Sequence, residues 1–188
     1  IQLLPVNDTT STNGWADSYP YNCISVFALH PIYMNLDELG ELREPKSLKE
    51  FRRDQKRVNN DYFLNYPDVW SLKTGYCKAL YKERKGETFA EPGFYTFTKE
   101  NGEWLYPYAA FCTLRDYFNE PDFRKWETID FDGVKLECSA FSCKIVEALK
   151  ESGHSLNDDF NYHIYLQYHL HKQLSECKEY AHRKGVAL

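Results

Sequence analysis

Ile1-Gln2-Leu3-Leu4-Pro5-Val6 at one end of the chain and Gly185-Val186-Ala187-Leu188 at the other are short, apolar and free of charge. Runs of this kind read as strands buried on both faces. The first has no basic leader, no long apolar core and no small-residue cleavage site, so it does not read as a signal peptide. Parallel strands need a crossover, and two buried strands joined by helical sequence suit a parallel sheet or barrel. The roughly 175 residues between them exceed any ordinary crossover, so an inserted helical subdomain is expected there. Termini normally lie at the surface rather than in core strands. The chain therefore reads as a piece cut from a longer protein.

Moving inward, residues 7–21 are rich in Asn, Asp, Thr, Ser, Gly and Pro, the composition of a long loop. Residues 22–29 are more apolar and suggest a helical turn before Pro31. Ser47 and Glu50 have capping-box spacing for a charged helix reaching about Arg57. Pro67 fits the first turn of a helix through Lys85, with Val69, Leu72, Tyr76, Ala79 and Leu80 at helical spacing. Residues 86–98 contain Pro92-Gly93 and read as loop with a short strand. Trp104, Tyr108, Phe111, Cys112 and Leu114 mark a helix with Pro107 near its first turn. Residues 139–151 suggest another helix, ending near Gly153. The longest runs from Asp158 to Lys184, with Phe160, Ile164, Gln167, His171, Leu174 and Tyr180 along one line. Gly185 stops it as a C′ glycine would.

Composition narrows the function. Net charge is −5 over 188 residues, which argues against general attraction to nucleic acid. No apolar run is long enough to span a membrane. The six cysteines, at 23, 77, 112, 138, 143 and 177, include no Cys-x-x-Cys pair. They read as reduced, mostly buried thiols of a cytoplasmic protein. His169 and His171 point to different helix faces, and His163 misses the i, i+4 spacing, so no metal site is expected. Aromatic residues make up 16% of the chain. Rings can fill a helical core, or they can stack on the apolar faces of sugars.

The loop is where these options meet. It directly follows the first strand, and barrel enzymes bind and react at the carboxyl ends of their strands. Asn7, Asp8, Trp15, Asp17, Ser18, Tyr19 and Tyr21 combine hydrogen-bonding groups with flat rings. This mixture suits an oligosaccharide, but it also suits a solvated loop closed by local Asx and Ser turns.

The order of residues adds a resemblance. Leu4-Pro5-Val6-Asn7-Asp8, Asp17-Ser18-Tyr19-Pro20-Tyr21-Asn22 and Ser25-Val26-Phe27-Ala28-Leu29-His30-Pro31 together resemble the 4-α-glucanotransferases, the amylomaltase or disproportionating family. Trp104-Leu105 with Tyr108-Ala109-Ala110-Phe111, and Tyr180 to Val186, agree with it. The chain departs from the family pattern at the inserted Tyr19 and at His30, which stands where Asn is usual. Both departures resemble the branch of the plant cytosolic enzyme.

The resemblance implies a mostly α-helical fragment of a (β/α)8 TIM-barrel enzyme. Residues 1–6 would be a barrel strand and 7–31 a substrate-contacting loop. Residues 32–184 would form an inserted helical subdomain with a long return helix, and 185–188 would start the next strand. The implied activity is retaining transfer of α-1,4-glucan segments, with no cofactor. Its catalytic carboxylates would lie beyond this chain, so no catalytic residue is assigned within it. Tyr21 matches the family tyrosine beside the reacting glucose, and Ser18 matches a sugar-contacting serine. Trp15 is added as a stacking surface from its own chemistry. The expected partners are an α-glucan or maltooligosaccharide and the remainder of the same barrel, with neither nucleic acid nor membrane. The competing reading is a carbohydrate-binding or helical interaction module without catalysis.

Overall fold

The structure is a computed structural model that describes residues 1–151 and 153–187. Among these residues it holds six α-helices and two strands. They are α1 (Leu36–Leu39), α2 (Pro45–Asn59), α3 (Tyr66–Phe89), α4 (Pro92–Phe118), β1 (Thr128–Phe131), β2 (Val134–Glu137), α5 (Cys143–Lys150) and α6 (Asn157–Arg183). Among the described residues no helix is long and apolar enough to cross a membrane.

The amino-terminal half of α6 is the central pillar. Phe160, Tyr162, His163, Ile164, Tyr165, Leu166, Gln167, Tyr168 and Leu170 are all buried. A helix covered on nearly every side must have packing partners all round. On one side Tyr162, Tyr165 and Leu166 join Leu39, Phe51, Tyr76 and Leu80 from α1, α2 and α3. On another, Phe160 and Ile164 join Leu105 and Leu114 of α4, Ile145 and Leu149 of α5, and Ile129 and Phe131 of β1. Each fully buried leucine contributes about 1.5–3 kcal/mol relative to its exposed state.

Several sequence expectations are corrected. Residues 86–98 are neither loop nor strand: α3 continues to Phe89, and after one turn Pro92 occupies the first turn of α4. Proline is well placed there, because its missing N–H would be unpaired anyway. Gly93 permits close packing rather than a turn, since a Cβ there would lie 2.9 Å from Tyr168 Oη. Pro107 is inside α4, not in its first turn. An internal proline costs about 3 kcal/mol in an isolated helix. Buried neighbours Leu105, Tyr108, Ala109 and Ala110 hold the helix together across it.

The capping box does not form. Pro45 opens α2 and Glu44 is its N-cap, while the Ser47 hydroxyl donates to the Glu44 carboxylate. Residues 22–29 make bends rather than a helical turn, and the turn begins at Pro31. The antiparallel hairpin β1–β2 pairs Thr128 with Glu137 and Phe131 with Val134. At its tip Asp132 and Gly133 both have positive φ, 51° and 92°, the conformation that a two-residue hairpin turn demands.

The end of α6 agrees with expectation. Gly185 has φ +73°, its N–H bonds His182 O at 2.9 Å, and Val186 N–H bonds Ala181 O at 2.9 Å. This pair of bonds is the Schellman closure. Residues 1–6 differ from expectation, because they form no ladder among the described residues. Ile1, Leu3 and Leu4 are exposed, and a strand needs a hydrogen-bonded neighbour along its length. One contact joins the two ends: the Ile1 amine donates to Ala187 O at 2.7 Å. Leu188 lies outside the described residues.

Candidate functional site

The loop after residue 6 rises from a short two-stranded base. Asn7 and Leu29 form an antiparallel bridge. Asp8 N–H bonds Ala28 O at 2.9 Å, and His30 N–H bonds Val6 O at 3.0 Å. The loop's two aspartates then turn inward. Asp8 is fully buried and accepts from Thr10 N–H at 2.9 Å, Thr10 Oγ1 at 3.1 Å and Tyr108 Oη at 2.6 Å. Asp17 is buried too and accepts from Ser11 Oγ, Thr12 N–H, Thr12 Oγ1 and Asn13 N–H at 2.7–3.1 Å. Such charge-assisted bonds are stronger than neutral ones. Both carboxylates therefore work as local anchors, the role their setting in an Asn/Thr/Ser-rich loop suggests.

The rings turn outward. Trp15, Tyr19 and Tyr21 are exposed at 58%, 60% and 61%. Buried carboxylates beneath exposed rings reverse the ordinary partition of side chains. Tyr19 and Tyr21 pair at 5.5 Å between centroids, whereas Trp15 lies 6.2 Å from Tyr66. Among the described residues no ring pair links Trp15 to Tyr21, so the loop offers two aromatic surfaces rather than one. Ser18 sits between them on the 3₁₀ turn Trp15–Ser18. Its hydroxyl donates to Trp15 O at 2.7 Å, which leaves its lone pairs free to accept.

Ser18 also lines a small hollow of about 30 Å³ with Asn7, His30, Tyr33 and Tyr66. Ile32 N–H donates to His30 Nδ1 at 3.1 Å, and His30 Nε2 lies 2.8 Å from Tyr66 Oη. Burial lowers the His30 pKa, with Asp8 and Asp17 opposing it. The neutral ring, with Nδ1 accepting, donates from Nε2 to Tyr66. Burial raises the Tyr66 pKa, so its phenol stays protonated. Sequence reasoning missed Tyr66, whose place before Pro67 signals only a helix start, and passed over His30 as a simple departure.

Behind the loop a cleft of about 860 Å³ is lined by Thr10, Asn13, Trp70, Asp116, His163 and others. The buried Arg115 spans from the loop to this cleft. Its Nη1 donates to Thr10 O at 2.6 Å and Thr10 Oγ1 at 3.0 Å, and its Nε donates to Asp116 at 2.9 Å. Burial pushes the Asp116 carboxyl up, but His163 and Arg115 prevail and hold it down at about 2. His169 and His171 do face different surroundings: His169 packs on Tyr165 and Tyr168, His171 on Phe97 and Trp104.

Comparison with known proteins gives these features a context. The family described as 4-alpha-glucanotransferase matches residues 1–188. A 4-alpha-glucanotransferase of Oryza sativa subsp. japonica is 37% identical over 188 residues, all of this chain and 19% of the relative. One from Chlamydia muridarum is 27% identical over 189 aligned residues, covering 32% of its length. One from Clostridium butyricum is 28% identical over 192, covering 34%. The chain thus spans between a fifth and about a third of these relatives.

Proposed function

Because the chain belongs to the 4-alpha-glucanotransferase family, we propose that it supplies the sugar-contacting loop and helical subdomain of an enzyme that moves α-1,4-glucan segments between sugars. The observation that carries this reading is the inverted loop, in which both carboxylates are buried and three rings are exposed. An exposed ring offers a flat apolar face, and a phenol adds a polar tip. Tyr21 serves as the platform for the glucose beside the reacting bond, and Trp15 as a second platform. Ser18 Oγ accepts from a sugar hydroxyl. In the longer protein, residues 1–6 and 185–188 are neighbouring barrel strands and 32–184 the inserted subdomain. Six free thiols, three buried and three exposed rather than mostly buried, fit a reducing compartment, and we place the protein in the cytoplasm.

Retaining transfer needs one carboxylate as nucleophile and a second that acts as acid and then as base. The nucleophile displaces the leaving sugar while the acid protonates its oxygen. The same group then deprotonates the acceptor hydroxyl that attacks the glucosyl ester. Asp8 and Asp17 are engaged with loop donors and hold the platform instead. We assign the reacting carboxylates to residues outside 1–188.

Maltotriose incubated with the full-length protein is expected to give glucose and longer maltooligosaccharides. Residues 1–188 alone are expected to give neither. Product formation by 1–188 at a rate near that of the full-length protein would overturn the placement of the carboxylates. Glucan binding without any product by the full-length protein would overturn the transferase reading.

A further inference from the structure

The loop base is gripped from the helical side by one buried amide. Gln167, on α6, is fully buried. Leu29 N–H donates to its Oε1 at 2.8 Å, and its Nε2 donates to Leu29 O at 2.9 Å. The side chain thus takes the place of a strand neighbour for Leu29. The same Nε2 donates to Tyr108 Oη at 3.2 Å, and Tyr108 Oη donates to Asp8 Oδ2 at 2.6 Å. Leu29 and Asp8 lie on the two legs of the loop base, with Asn7 bridged to Leu29. A single connected chain of hydrogen bonds therefore fixes both legs to α6 and α4.

The arrangement repeats six residues further along α6, at Gln173. Asn35 N–H donates to Gln173 Oε1 at 2.9 Å, and Gln173 Nε2 donates to Asn35 O at 3.0 Å. The two clamps differ in burial. Gln173 is half-buried and its bonds to Asn35 are open to solvent, so water can replace them. Gln167 and Asp8 are both inaccessible, so losing any bond between them strands a buried polar group. Connected buried networks of this kind rigidify what they join.

We propose that Gln167 and Tyr108 are positioning residues for glucan transfer: they touch no sugar, but they fix the loop base so that Trp15, Ser18 and Tyr21 stand where the glucan binds. The inference rests on the proposed transferase function. Rings held in place bind a sugar better than rings that must first be ordered. The loss should therefore appear as a raised KM for the glucan, with kcat much less affected.

The experiment uses the full-length protein and maltooligosaccharide transfer, with KM and kcat measured separately. Gln167→Met and Tyr108→Phe are compared with Ile145→Val, which lies in the second core cluster away from the loop, and with Gln173→Met, which removes the solvent-exposed clamp. Thermal midpoints and amide exchange of residues 9–27 are recorded for all four. Gln167→Met and Tyr108→Phe are expected to raise KM about fivefold or more, while the other two stay within about twofold. Exchange across 9–27 should quicken in the first two alone. Because Tyr108→Phe leaves no cavity, it carries the test if Gln167→Met fails to fold. Unchanged KM and unchanged loop exchange in Tyr108→Phe would overturn the proposal. Tyr21→Ala separates the two ideas. If Tyr21→Ala impairs transfer and Tyr108→Phe does not, positioning fails and the site stands. If the wild-type protein transfers nothing, the function fails, and loop exchange still decides whether the clamp orders the loop.

Discussion

The loop of residues 7–30 and the helical body are built by opposite means. The helical body buries leucines and rings, and Leu80, Leu105, Leu114 and Leu149 are completely covered. The loop buries Asp8, Thr9, Thr10 and Asp17 and exposes Trp15, Tyr19, Tyr21 and Phe27. Apolar burial is non-directional and tolerates many sequences. A polar network depends on each partner and fails as a unit. The helices should therefore respond to lost volume, and the loop to lost hydrogen bonds.

The largest expected effect falls on the helices. Leu105→Ala should cost about 2–5 kcal/mol of stability, the usual loss for a leucine truncated in a packed core. Transfer activity per folded molecule should not change. A denaturant titration paired with a rate corrected for folded fraction checks both parts. A large loss of specific activity would break the comparison, because it would couple the two regions.

Acid should come next. Burial holds His169, among the helices, at about 4, with Glu91 opposing the shift. Burial also lowers His30 at the loop base and His171 on α6. A folded pKa below the unfolded value means that the unfolded chain takes up the proton first. The stabilisation is complete above about pH 6.5 and is lost as pH falls through about 4, at about 1.4 kcal/mol per unit of separation. His169→Gln should flatten this slope while leaving the part due to His30 and His171. Urea midpoints at neutral pH and at pH near 5 for both proteins decide it. Equal slopes would show that His169 does not titrate in this window.

Asp17→Asn tests the loop directly. The substitution keeps the shape but presents an amide to several N–H and O–H donors. About 1–3 kcal/mol of loop stability should go, with faster proteolysis between residues 9 and 27. Normal protease resistance would show that the network is not what orders the loop. Tyr21→Ala should have the smallest effect, a loss of about 0.5–1.5 kcal/mol of sugar interaction, or roughly two- to twelvefold in kcat/KM. The thermal midpoint should not move, since the ring is exposed. Unchanged kinetics would reduce Tyr21 to scaffold.

The two regions were also unequally legible in the sequence. Asp8 and Asp17 could be read as anchors because Asx bonds are local: Thr10 is two residues from Asp8, and Thr12 and Asn13 are within five of Asp17. Gly185 could be read as the stop of α6, because a Schellman closure joins residues close in sequence. Pro92-Gly93 was misread as loop, although proline is equally at home in a first helical turn and a Cβ at Gly93 would crowd the Tyr168 hydroxyl. Pro107 was placed too early, because no local rule anticipates a helix held across proline by its neighbours. The Asp132-Gly133 hairpin was missed despite its turn residues and the alternating burial of Ile129 and Phe131.

What the sequence by itself determined is the set of short-range facts. It specified the loop's composition, the family motifs around Asp17 to Tyr21, the reach of the long helix and its glycine stop. These depend on bonds and periodicities within a few residues, where chain geometry leaves few choices. Only the tertiary structure decided that Tyr66 sits under Trp15, that Arg115 reaches Thr10, and that Gln167 holds Leu29 from 138 positions away. Such pairings carry no local signature. They exist because α4 and α6 pack beside the loop, and a buried donor must find an acceptor wherever that packing brings one.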